Sequence, residues 1–189
     1  EYLDHLLPEL PLPLTLYNMP SHTKMVFEPA TVRRAMENPR IVGLKDSSGD
    51  MVYFHHLLRF VGHRPDFRLL VGPEILLGET VLLGGHGGVC GGANLFPRLY
   101  VALYEAARAG DRQRIATLQA IVMDIYERIY STGRYGSRII KGIKCVLDML
   151  GICDDFLAEP FHRFRDDERR LIADGLATIR RTLEEANLA

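Results

Sequence analysis

A lysine that closes an apolar run has little reason to be there unless its amine is used. Lys45 does so in Ile41-Val42-Gly43-Leu44-Lys45-Asp46-Ser47-Ser48-Gly49, and Tyr17, 28 positions earlier, ends a similar run, Leu14-Thr15-Leu16-Tyr17-Asn18. One strand–helix unit fits between them, so both side chains can reach the same end of one parallel sheet. A lysine in an apolar pocket is expected to lose part of its preference for the ammonium form, because burial disfavours charge. The neutral amine can then attack a ketone and form a Schiff base, and a neighbouring tyrosine can move the protons.

The elements that must position this pair follow from the pattern of apolar residues and breakers. Residues 11–18 read as a strand and 20–23 as a turn. Residues 29–36 read as a helix opened by Pro29 and stopped at Asn38-Pro39. A strand at 40–45 precedes a helix at 50–61, with Val52, Leu57, Leu58 and Val61 spaced for one face. A strand at 67–71, a helix at 74–83 and a short strand at 88–91 follow. Beyond Pro97 only helices are expected, at 97–109, 111–131, 136–150 and 166–186, with Asp111 as an N-cap. Gly72 lies 27 positions after Lys45, and this near-constant spacing is what βα repetition gives.

Four strand–helix units amount to half of a (β/α)8 barrel, which typically needs about 250 residues. Residues 1–96 are read as the C-terminal half of such a TIM barrel. Residues 97–189 are read as its last helix and a C-terminal helical extension. A half barrel leaves open edges, so the 189 residues are expected to be the C-terminal part of a longer chain, or to close by self-association. A small doubly wound α/β domain is the structural competitor.

Composition removes several classes of function. The chain is 47 % hydrophobic and 25 % charged with a formal net charge of −1, which offers no electrostatic reason to expect nucleic acid or an acidic membrane as partner. No apolar stretch reaches the length of a membrane span, and no signal peptide is evident. Cys90, Cys145 and Cys153 are widely spaced and read as reduced thiols of a cytoplasmic protein, mostly filling core. His55-His56 are adjacent and cannot make the i, i+4 chelate of a zinc helix, so no metal is expected. The glycine run at 84–92 matches neither G-x-G-x-x-G nor a P-loop; tight turning and close backbone approach to a ligand are its expected uses. Arg163-Phe164-Arg165 and Glu168-Arg169-Arg170 read as the wet faces of helices. Ile140, Ile143, Val146, Leu147 and Leu150 read as core or oligomer interface.

Taken together, the motifs resemble the dihydrodipicolinate synthase / N-acetylneuraminate lyase family. Tyr17-Asn18-Met19-Pro20 is similar to its tyrosine-bearing turn, and Val42 through Asp50 to its Schiff-base lysine strand. Gly72-Pro73-Glu74 stands where the family has a glycine followed by acidic substrate contacts. The segment 84–94 resembles its last barrel strand and the loop beyond, and Leu157-Ala158-Glu159-Pro160 the segment near its final helix. The resemblance covers nearly the whole chain, in order. It implies a (β/α)8 barrel with a helical extension, commonly a homotetramer. It also implies class I lyase chemistry on pyruvate or another 2-oxo acid with an aldehyde partner, needing no cofactor.

Residue by residue, the resemblance makes Lys45 the Schiff-base lysine and Tyr17 the general acid/base. Ser47, Gly72, Glu74 and Gly91 would line the pocket for the rest of the substrate. The family's Gly-Thr-Thr-Gly-Glu loop, which holds the pyruvate carboxylate, belongs to its N-terminal half and has no counterpart in these residues. One departure bears on substrate. Where the synthases carry an arginine for the aldehyde's carboxylate, this chain has His22, which lacks the guanidinium's fork and permanent charge. A sugar-acid aldolase is therefore favoured over lysine biosynthesis. A dehydratase on the same scaffold and a non-catalytic binding module remain the other readings.

Overall fold

β1 (Leu14–Asn18), β2 (Ile41–Asp46), β3 (Arg68–Val71) and β4 (Gly87–Gly88) form one parallel sheet in the order β1-β2-β3-β4 in the computed structural model, which describes residues 1–188. The helices between them supply the crossovers that parallel neighbours require. α1 (Tyr2–Leu6) precedes β1; α2 (Pro20–Thr23) and α3 (Pro29–Ala35) join β1 to β2. α4 (Met51–Val61) joins β2 to β3, and α5 (Leu77–Leu82), entered through a 3₁₀ turn at Glu74–Leu76, leads to β4. This α/β arrangement of consecutive parallel strands is that of a partial (β/α)8 barrel, followed by helices alone: α6 (Pro97–Ala109), α7 (Arg112–Ile125), α8 (Arg138–Met149) and α9 (Asp166–Glu185). The chain divides into two compact units, Glu1–Val89 and Cys90–Ala189. Among the described residues no helix is long and apolar enough to cross a membrane.

In the first unit, alternation along the strands decides what is buried. Leu16, Leu44 and Leu69 are almost wholly enclosed, and Leu16 pairs with Leu44 and Leu44 with Leu69 across the sheet. The buried face of α4 is Tyr53, Phe54, Leu57 and Val61. The expected stripe through Val52 is corrected, since Val52 is 68 % exposed; the helix starts one residue after Asp50, whose carboxylate caps the Val52 and Tyr53 amides, and this phase turns Val52 outward. The turn at 20–23 is a single helical turn opened by Pro20.

β4 is shorter and earlier than the expected 88–91. Only Leu70 and Val71 find partners in it, Gly87 and Gly88. One residue ahead, His86 takes the place of strand backbone. Its amide donates to the Leu69 carbonyl at 2.9 Å, and its Nδ1 accepts from the Leu69 amide at 3.1 Å. Burial, then the charge of Arg68, holds the imidazole's pKa below its usual value.

In the second unit, Asp111 caps α7 as expected, accepting from the Arg114 amide at 2.9 Å. The helix does not run unbroken to 131: it loosens into a π turn at Tyr126–Tyr130. Two glycines let the neighbouring helices approach that turn. A Cβ on Gly142 of α8 would stand 2.8 Å from the Ile129 carbonyl oxygen, and one on Gly175 of α9 would stand 3.0 Å from Arg128 Cβ. Of the apolar α8 residues expected in core or interface, Val146 is fully buried whereas Ile140 is 52 % exposed.

The 163–170 segment also corrects its sequence reading. Residues 163–165 precede α9 rather than lying on a helix, and Phe164 is buried. Arg169 bonds Asp148 at 2.7 Å and also Asp155, so it is a bridge and not a solvated charge. Arg170, one residue on, is exposed and pairs with Asp167 of its own helix turn.

Candidate active site

Tyr17 and Lys45 are register partners at the C-terminal ends of β1 and β2. Residues opposite each other in register project to the same face, and here the two side chains meet: Lys45 Nζ lies 4.7 Å from the centroid of the Tyr17 ring. A cation over an aromatic face is attracted by the ring quadrupole. The tyrosine hydroxyl donates toward Met19 Sδ at 2.6 Å, and Ser47 Oγ donates to the same hydroxyl oxygen at 3.4 Å. Enclosure is less than the sequence suggested, since Lys45 is half-buried and Tyr17 is 48 % exposed. The strands of a parallel sheet gather functional groups at this end because the loops that follow them converge there.

Gly72 follows β3 directly, and its amide donates to the Asp46 carbonyl at 2.7 Å. A Cβ on Gly72 would collide with Ser47 Oγ and crowd its Cβ at 2.9 Å, so the absence of a side chain admits the serine that contacts Tyr17. Glu74 opens the 3₁₀ turn two residues further on and is buried at 7 % exposure. The structure thus brings Lys45, Tyr17, Ser47 and Gly72 together, with Glu74 in the turn that leaves the same sheet end. His22 lies on the exposed turn α2 that follows β1, its Nδ1 3.0 Å from Ser21 Oγ. Gly91 begins a 3₁₀ turn, Gly91–Asn94, in the second unit.

Two polar residues beside the pair were not singled out from the sequence. Asn18 and Asp46 are 1 % and 2 % exposed, and Asn18 Nδ2 donates to Asp46 Oδ1 at 2.8 Å. They follow Tyr17 and Lys45 by one residue and so project to the opposite, buried face, in phase with Leu16 and Leu44. The signal was available: a polar residue where the alternation demands an apolar one. Around them, Tyr53 donates its hydroxyl to the Phe27 carbonyl at 2.6 Å. Burial, then the charge of Asp46, pushes the Tyr53 phenol well above its ordinary pKa, so it stays a donor. On the helical side, a groove of about 690 Å³ between α3 and α4 is lined by Arg33, His56, Arg59 and His63 among others. Neither Lys45 nor Tyr17 borders it.

Comparison with known proteins agrees with the fold. The model of the dihydrodipicolinate synthetase family matches residues 1–179. A 4-hydroxy-tetrahydrodipicolinate synthase of Methanopyrus kandleri is 31 % identical over 162 residues, 85 % of this chain and 51 % of that protein. A probable 2-dehydro-3-deoxy-D-pentonate aldolase of Escherichia coli, YjhH, is 35 % identical over 127 residues, 66 % of this chain and 42 % of the relative. The dihydrodipicolinate synthase structure from Bacteroides thetaiotaomicron superposes with a TM-score of 0.91 at 52 % identity, covering 94 % of this chain and 59 % of that one. The chain spans about half the length of the curated relatives it matches. It belongs to the dihydrodipicolinate synthetase family.

Proposed function

We propose that this chain carries the Schiff-base residues of a class I lyase acting on pyruvate or a related 2-oxo acid. The observation that supports it most is the in-register pair at the sheet's C-terminal end, with the Lys45 amine against the Tyr17 ring. In this reading the neutral Lys45 amine attacks the keto carbon and gives a carbinolamine. Tyr17 delivers the proton with which the hydroxyl leaves as water, and the iminium forms. The iminium withdraws electrons from the adjacent carbon, so a carbon–carbon bond there can be made to an aldehyde or broken to release one. Ser47, hydrogen-bonded to Tyr17, orients the phenol. Family membership supports the enzyme class; a homo-oligomer, a tetramer by resemblance, belongs to the same proposal.

For the substrate, a 2-oxo-3-deoxy sugar acid is favoured. His22 stands in place of an arginine that would grip a second carboxylate, and a buried carboxylate, Glu74, can accept hydrogen bonds from substrate hydroxyls. The E. coli relative, a probable 2-dehydro-3-deoxy-D-pentonate aldolase, points the same way. The synthase reaction of lysine biosynthesis is the second reading, favoured by the 52 % identity to the Bacteroides protein. Assaying pyruvate release from 2-oxo-3-deoxy sugar acids against condensation of pyruvate with aspartate semialdehyde separates the two. Retro-aldol turnover with little condensation supports the first; the reverse overturns it. Loss of water without pyruvate release would mark a dehydratase.

A further inference from the structure

We infer that Asn18 and Asp46 are positioning residues, a buried clamp that sets the spacing between Tyr17 and Lys45 from the far face of the sheet. The inference rests on the reading of Lys45 as nucleophile and adds the part that keeps it in place.

The observation is a closed circuit of hydrogen bonds around the two loops that leave the site. Asn18 Nδ2 donates to Asp46 Oδ1 at 2.8 Å. The Ser48 amide donates to the same oxygen at 3.1 Å, and Ser48 Oγ donates to Asp46 Oδ2 at 2.9 Å. Ser48 Oγ in turn accepts from the Asp50 amide at 3.1 Å, and Asp50 caps α4, whose Tyr53 reaches the Phe27 carbonyl. The Phe27 amide returns to Asn18 Oδ1 at 3.1 Å. Backbone bonds complete the frame, from the Ser47 amide to the Asn18 carbonyl at 2.8 Å and from the Gly72 amide to the Asp46 carbonyl at 2.7 Å.

Every donor in this circuit is neutral. A buried carboxylate left unpaired is costly, so Asp46 is committed to its partners and cannot wander. Its neighbour in sequence is Lys45, as Asn18's is Tyr17. A shift of either strand end would move the amine and the phenol relative to each other, and both loops, the one with His22 and the one with Ser47, would follow. Displacement of a reacting group by about 1 Å can cost on the order of 100-fold in rate.

The test uses Asn18→Ala, Asp46→Ala and the conservative Asp46→Asn in the full-length protein. Asp46→Asn can keep every bond, because its carbonyl still accepts from Asn18 and Ser48 Oγ can turn to accept from its amide. Thermal melting first identifies the folded variants; Asn18→Ala leaves Asp46 two donors and serves if Asp46→Ala does not fold. Single-turnover trapping of pyruvate by borohydride is expected to slow about 10- to 100-fold in Asn18→Ala, with Asp46→Asn recovering most of the rate. The nuclear Overhauser effect between the Tyr17 ring and the Lys45 ε-methylene protons is expected to weaken in step. A folded Asn18→Ala with unchanged trapping and an unchanged Overhauser effect overturns the clamp. A wild-type protein that is never trapped overturns the nucleophile instead, and the Overhauser comparison alone then decides the clamp.

Discussion

Among the described residues two aspartates lie almost wholly buried, Asp46 at 2 % exposure and Asp155 at 3 %, and they are held in opposite ways. Asp46 accepts from an amide side chain, a backbone amide and a hydroxyl. Asp155 is gripped by two guanidiniums, Arg163 at 3.0 Å and Arg169, and Arg169 extends the bridge to Asp148 at the end of α8. The hydrogen bond to Asp148 pushes the Arg169 pKa further up, and a guanidinium is a permanent charge in any case. An ion-pair cluster ties helix α9 to the end of α8 and the segment between them. Neutral donors do something else at the sheet end: they fix a carboxylate without bringing a second cation beside Lys45. The difference teaches that burial of a charge marks two kinds of place, one bridging helices through cations and one held by neutral donors beside the Lys45–Tyr17 pair.

If that division holds, rate and stability should separate between the two regions. The largest effect belongs to the sheet end. Tyr17→Phe should slow turnover by about 10²–10⁴-fold, the range for a lost general acid/base, with little change in melting, since the phenol is half exposed. Unchanged kcat/KM would remove Tyr17 from the chemistry. The converse is Arg169→Ala, which leaves Asp155 with one cation and Asp148 with none. Breaking such a cluster costs roughly 3 kcal/mol, or about 6–12 °C in Tm for a chain of this size. A Tm within two degrees of wild type would show that the cluster is not cohesive.

A smaller effect lies at β4. His86 is held neutral by burial and Arg68, with a pKa below the 6.5 of the free side chain. The unfolded chain therefore binds this proton first as pH falls. Stability from His86 is fully present above pH 6.5 and is lost as pH drops from there through the lowered folded value. Replacing His86 with Asn, which can still accept from the Leu69 amide, should flatten this part of the stability profile; an unchanged slope would exclude His86 as its source. Least of all should change at Arg170. Its pair with Asp167 is exposed on both sides, and such pairs contribute about 0–1 kcal/mol. Differential scanning calorimetry of Arg170→Ala beside Arg169→Ala sharpens the contrast between adjacent residues.

The juxtaposition of Lys45 and Tyr17 was legible because each interrupts an apolar run at the same phase of a repeating βα spacing, and the register sets them opposite each other. The parallel sheet and the later helices were legible for the same reason, since each is long or periodic. What escaped the sequence reading depended on partners far along the chain. Asn18 and Asp46 stand in the apolar phase of their strands, but only the register shows that they lie side by side and answer each other on the buried face. Arg169 and Arg170 share a helix turn and a charge, and only the carboxylates of Asp148 and Asp155 distinguish them. β4 shifted toward His86 because a side chain can stand in for strand backbone, which no periodicity reports.

The central claim is that Lys45 forms an imine with a 2-oxo acid. Incubating the protein with pyruvate, reducing with borohydride and mapping the peptides by mass spectrometry tests it most directly. The account predicts a stable adduct on Lys45, absent without pyruvate and absent in Lys45→Ala. An adduct that persists in Lys45→Ala, or none at all in a full-length protein that turns over 2-oxo acids, would contradict it.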